Sequence, residues 1–161
     1  MAHMKRGRMA WLAVGIWAFV VLGLGSNSFS QESTSRYLGP LLRWLLPALS
    51  ADALRDVEHA IRKAAHLVEY AVLAVLAYRA LHLTSRRGLA GQLLLAFALL
   101  LGVAALDETL QSRVPSRSGR LGDVALDAAG GLLGLAAAVS LHPLFRRRSA
   151  PADRSARRRD G

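Results

Sequence analysis

Three stretches of this chain run for nearly a full membrane thickness without a formal charge. Met9 to Gly25 covers 17 residues, Gly88 to Leu106 covers 19 and Ala128 to Phe145 covers 18. About 20 apolar residues in a helix cross a hydrocarbon core roughly 30 Å thick. A soluble bundle would have to hide all three, and helices of a small soluble domain need a polar face. A fourth segment, Ile61 to Leu83, is less clean because it holds His66, Glu69 and Arg79. It is taken as a span because the loops fail to alternate sides without it. The expected fold is all-α: a four-helix transmembrane bundle with an amphipathic segment on its outer face. The spans fall at about 9–25, 61–83, 88–106 and 124–145. They form one membrane domain, 9–145, followed by a basic, disordered cytoplasmic tail, 146–161. The first run is read as an uncleaved span rather than a signal peptide, since Ser26 to Ser30 offers no A-x-A site. Met1-Ala2-His3 reads as a cloning remnant and carries no weight.

The location of the charges decides what they mean. A net charge of +10 and a pI near 11.4 ordinarily raise nucleic acid as a partner. Here seven arginines crowd into the tail between Arg146 and Arg159, with no folded basic face or stacking aromatics beside them, so nucleic acid is not expected. With four spans, residues 1–8, the Arg79–Arg87 turn and the tail collect 13 Lys/Arg against Asp153 and Asp160. The remaining 8 Lys/Arg stand among 9 carboxylates. Positive loops stay in the cytoplasm, which puts both termini there. The absence of cysteine excludes disulfides and thiolate metal sites.

Two pieces then lie outside. In the first, Arg36 to Leu49 is Leu-rich and carries Arg43, Trp44, Pro40 and Pro47. It suits a segment lying in the headgroup plane, or a short helix packed on the bundle mouth. Ser50 is a plausible N-cap for a helix that starts near Ala51 and runs into the second span. The second piece, 107–122, is short and rich in Ser, Arg and Gly.

Ionisable residues inside spans cost on the order of 2.5–3.5 kcal/mol each at a helix centre, and are where function is usually found. Lys63, His66 and Tyr70 stand at i, i+3 and i+7, on one face of the second span, with Glu69 adjoining. Asp107 and Glu108 end the third span's apolar run, with Gln111 within one turn. Asp123 and Asp127, four apart, share a face at the start of the fourth. The intervening loop adds Arg113, Arg117 and Arg120. All of these fall at the outer ends of their helices, so the sequence predicts one polar pocket there. Ion pairing alone, with Lys63 or Arg117 neutralising Glu69, Asp107 or Asp127, is the plainer account. Against it, Ala128 to Gly131 with Gly134 already supplies a small-residue packing face.

Taken in order, these motifs resemble the VanZ family. They are Lys63-x-x-His66-x-x-x-Tyr70, Asp107-Glu108-x-x-Gln111, the Pro115-Ser116-Arg117 turn and Asp123-x-x-x-Asp127-x-x-Gly130. The match covers roughly 10–142. Ser116 replaces the usual turn glycine, and Asp127 takes a position that is often Asn. The resemblance implies a bacterial cytoplasmic-membrane protein, in a family named for a protein associated with low-level teicoplanin resistance. It implies no molecular activity and no cofactor.

Three functional readings remain open. The pocket could bind or move an anionic lipid or cell-wall precursor, with Lys63, Arg117 and Arg120 holding phosphate. It could be a membrane-embedded hydrolase or transferase, with His66 as base or with His66, Glu69, Asp107, Glu108, Asp123 and Asp127 as metal ligands. No nucleophile elbow, phosphate loop or zincin motif accompanies them. The charges could also be interhelical ties in a non-catalytic partner protein.

Because the chain lacks cysteine, single cysteines report orientation without background. A membrane-impermeant maleimide is expected to label Ser28→Cys in intact cells and Ser155→Cys only after lysis. The reverse pattern contradicts the assigned orientation.

Overall fold

In the computed structural model, residues 2–24, 31–111 and 121–147 are described. They form five α-helices: α1 (Ala2–Leu24), α2 (Gln31–Leu45), α3 (Ala51–Thr84), α4 (Leu89–Gln111) and α5 (Leu121–Arg147). Among the described residues there is no strand. Four of the helices, α1, α3, α4 and α5, are long and apolar enough to cross a membrane. The expected all-α bundle of four such helices is what forms. The tail beyond 147 and the segment 25–30 lie outside the described residues.

The helix boundaries have local causes. Ser50 caps α3, its hydroxyl accepting from the Ala53 N–H at 3.2 Å. α3 is 34 residues long, more than a bilayer needs, and its first turns hold Asp52, Arg55, Asp56 and Glu58. At the far end Ser85 closes the helix, its N–H returning to the Leu81 carbonyl at 2.7 Å. A four-residue turn then leads into α4. α2 is a helix packed on the start of α3. Leu42 and Leu54 are buried near that contact while Trp44 is 76% exposed.

α3 is the hub. It touches every other helix, and its widest interface is with α5. Two glycines make that interface possible. A Cβ on Gly130 would sit 2.6 Å from the Leu67 carbonyl oxygen, and one on Gly134 would collide with the backbone of Ala71. The advance from Leu67 to Ala71 as Gly130 advances to Gly134 means that α3 and α5 run parallel. Gly131 points instead at the Leu100 side chain, so α5 wedges between α3 and α4. In lipid there is no hydrophobic drive between helices, and such backbone-close packing supplies the association energy.

α1 runs antiparallel to α3. Trp11 Nε1 donates to Thr84 Oγ1 at 3.1 Å, and Trp17 Nε1 donates to the Glu69 carbonyl at 2.9 Å. The start of α1, the α3–α4 turn and the end of α5 therefore share one end of the bundle. Lys5, Arg6, Arg8, Arg86 and Arg87 stand there, and it is termed the basic end. The start of α3, the end of α4 and the start of α5 make the opposite, mixed-charge end.

The close approach predicts an asymmetric response to added methyl groups. Gly134→Ala should destabilise the purified protein by about 1–3 kcal/mol through overpacking. Gly102→Ala, where nothing lies within 4 Å of a new Cβ, should not. Thermal unfolding in detergent measures both; equal midpoints contradict the parallel glycine contact.

Candidate functional site

Register between α3, α4 and α5 sets the depth of their polar residues. His66 precedes the end of α3, Asp107 follows the start of α4 and Asp127 precedes Phe145 of α5 by the same distance, about 18 residues or about 27 Å of helix. All three therefore lie at one level, close to the far boundary of a core about 30 Å thick.

At that level the side chains turn inward. His66 Nδ1 lies 3.2 Å from Asp127 Oδ1, joining α3 to α5 one turn above the Gly130–Leu67 contact. Asp127 is 4% exposed and Asp107, on α4, only 2%. Glu69 is half-buried on α3, and the charges of Asp127, Glu69 and Asp107 all act on His66. Tyr70 is fully buried, its hydroxyl in the field of the same three carboxylates. One imidazole, one phenol and three carboxylates from three spans thus share one compartment. α1 holds it from outside through the Trp17 bond to the Glu69 carbonyl.

The other expected members divide. Lys63 stands exposed above His66 and makes no ion pair among the described residues. Glu108 is partly buried beside Asp107. Gln111 and Asp123 belong to α4 and α5, but their side chains lie outside what is described, as do Arg113, Arg117 and Arg120 entirely. Ion pairing of Glu69, Asp107 or Asp127 by Lys63 is not observed; the partner of Asp127 is His66. Among the described residues no group of three or more His, Asp or Glu is placed to hold a metal ion.

Directly above this compartment is a feature the sequence reading passed over. α2 and the first turns of α3 enclose a groove of about 730 Å³, lined by Arg43, Arg55, His59 and Arg62 with Trp44 and Glu58. Arg55 is held by an exposed ion pair with Asp52. Positions 55, 59, 62, 66 and 69 or 70 follow one another at intervals of three and four. They trace a continuous polar stripe down α3, from the groove to the buried cluster. That spacing was present in the sequence and was the available signal.

A family model described as VanZ/LLP1 matches residues 9–145. The chain belongs to the VanZ/LLP1 family. With its four membrane-length helices it is a multi-pass membrane protein. No curated protein and no solved structure matches the chain. The matched region takes in every described residue of the buried cluster and the whole groove, so the site belongs to the VanZ/LLP1 domain itself.

The 3.2 Å pair should be energetically coupled. In a double-mutant cycle, His66→Ala and Asp127→Ala should interact by about 0.5–3 kcal/mol in thermal or denaturant unfolding. Strict additivity contradicts their contact.

Proposed function

We propose that this VanZ/LLP1 protein binds or moves an anionic, membrane-anchored ligand, a lipid or cell-wall precursor, at the mixed-charge end. The observation that carries this reading is the polar stripe on α3, which joins a cationic groove to a buried acid–histidine cluster. Guanidinium groups such as Arg43 and Arg62 hold phosphate oxygens bidentately, which an ammonium does not match. Below them, His66 with Asp127, Glu69 and Asp107 can take up and release protons as a charged headgroup arrives or leaves. Tyr70 adds a hydroxyl to the same compartment. Charge placement supports an outward-facing groove on the cytoplasmic membrane, with both termini inside. A role in glycopeptide resistance of the teicoplanin type then follows from altered handling of precursor at the outer surface.

The His66–Asp127 pair supports a second reading, a membrane-embedded hydrolase or transferase. A carboxylate at Nδ1 leaves Nε2 free to act as general base on a headgroup. Product release from a purified lipid-linked precursor distinguishes the two, since a binding or transport protein returns the precursor unchanged.

The test is growth in teicoplanin with and without the gene, at matched membrane levels of each variant. His66→Ala, Asp107→Asn and Arg62→Gln are each expected to reduce tolerance to that of cells lacking the gene. Tolerance equal to the unmodified protein in all three contradicts the proposed site.

A further inference from the structure

The basic end carries a second groove, remote from the cluster and the stripe. It opens between the start of α1 and the end of α3, encloses about 980 Å³, and has Arg8 and Arg86 on its rim. Trp11, Leu12 and Leu83 form apolar walls, and Thr84 and Ser85 lie at its polar edge. We propose that this groove is a binding site for the phosphate headgroup of an anionic phospholipid, drawn from the leaflet at the basic end.

The first reason is charge without a counter-charge. Residues 2–24, 70–106 and 128–147, which carry the basic end and the middle of the bundle, contain no aspartate or glutamate. Neither Arg8 nor Arg86 pairs with a carboxylate among the described residues. Helix ends do not settle the sign, because α3 brings its negative C-terminus here while α4 brings its positive N-terminus. The arginines decide it, and basic pockets between membrane helices are where anionic headgroups bind.

The second reason is that the groove is held in shape. Trp11 Nε1 bonds Thr84 Oγ1 at 3.1 Å, and the same hydroxyl donates to the Ala80 carbonyl at 2.7 Å. Gly7 is buried against α3, and a Cβ there would meet Thr84 Cγ2 at 2.7 Å, so a larger residue would require Thr84 to shift. Ser85 Oγ accepts from the Arg87 N–H at 3.2 Å, which leaves its own proton to donate to a phosphate oxygen. His82 is committed elsewhere, stacked on Tyr78 and 3.4 Å from Gln92 Oε1.

The third reason separates a lipid from a free anion. Leu12 is 65% exposed and Met4 71% exposed beside the arginines. Apolar walls continuous with a charged rim suit a headgroup joined to acyl chains. A soluble phosphate has no use for them.

The experiment uses the full chain in nonionic detergent, with binding of dioleoyl phosphatidylglycerol followed by native mass spectrometry and by thermal stabilisation. Phosphatidylglycerol is expected to bind and stabilise, and phosphatidylcholine to do neither. Arg86→Gln should weaken phosphatidylglycerol binding at least about tenfold, and Arg8→Gln with Arg86→Gln should weaken it further. The single variant, at an exposed position, keeps the test decisive if the double variant does not fold. Lys5→Gln with Arg87→Gln makes the same charge change outside the groove and should leave binding within about twofold. The proposal is overturned by undiminished binding in Arg86→Gln, by equal binding of phosphatidylcholine, or by an equal loss in the Lys5/Arg87 control. Displacement of phosphatidylglycerol by an equal concentration of inorganic phosphate overturns it too, by making the site one for a free anion.

Discussion

The buried acid–histidine cluster of this bundle is positioned by a contact that involves no polar atoms in bonding. α5 lies on α3 backbone to backbone because Gly130 and Gly134 leave no side chain between them, and the two helices are parallel and in fixed register. A slide of one residue would bring Ala129 to the Leu67 backbone and Leu133 to that of Ala71, where their side chains do not fit. The register therefore determines where His66 stands relative to Asp127. It also leaves Gly131 facing Leu100, which fixes α4 and with it Asp107. Dispersion and shape, the terms that hold membrane helices together, thus set the geometry of the electrostatics.

That geometry is expensive to maintain inside a membrane. Charged residues at a helix centre cost on the order of 2.5–3.5 kcal/mol each on insertion scales, and less near the boundary. Placing His66, Asp107 and Asp127 close to the boundary moderates the penalty, and pairing His66 with Asp127 moderates it again. Helix association did not require these groups, because the glycine contact already supplies it. Three carboxylates whose charges act on one imidazole are more than cohesion needs, which is the physical basis for proposing a site there.

Much of this was legible in the sequence, for identifiable reasons. Uncharged runs announce spans because a bilayer allows few alternatives, and the Ser50 cap and the Gly130–Gly134 spacing each correspond to a local geometry that the structure contains. The common depth of His66, Asp107 and Asp127 was also readable, since each stands at the outer end of its span. The pairing itself was less so: Lys63 or Arg117 was the partner expected for a carboxylate, and it is the α3–α5 register, a three-dimensional fact, that sets His66 beside Asp127. The α2–α3 groove was missed because Arg55, His59 and Arg62 lie among the charges of a helix start, where polar residues are ordinary. Their significance comes from α2 folding over them. The groove at the basic end escaped for a similar reason, as Arg8 and Arg86 read individually as topological signals.

The two ends of the bundle accordingly do different things with charge. One confines carboxylates and a histidine within the spans beneath a cationic groove; the other presents arginines that pair with no carboxylate among the described residues. Side chains from three spans share one polar compartment, whose access from the mixed-charge end can be measured. Substituted-cysteine accessibility measures this most directly, with cysteine placed singly at 66, 107 and 127 and at the lipid-facing positions 68, 94 and 133. A small water-soluble thiosulfonate should modify the first three from the same side of the membrane and leave the last three untouched. Modification of 66, 107 and 127 from different sides, or protection equal to the lipid-facing set, would contradict it.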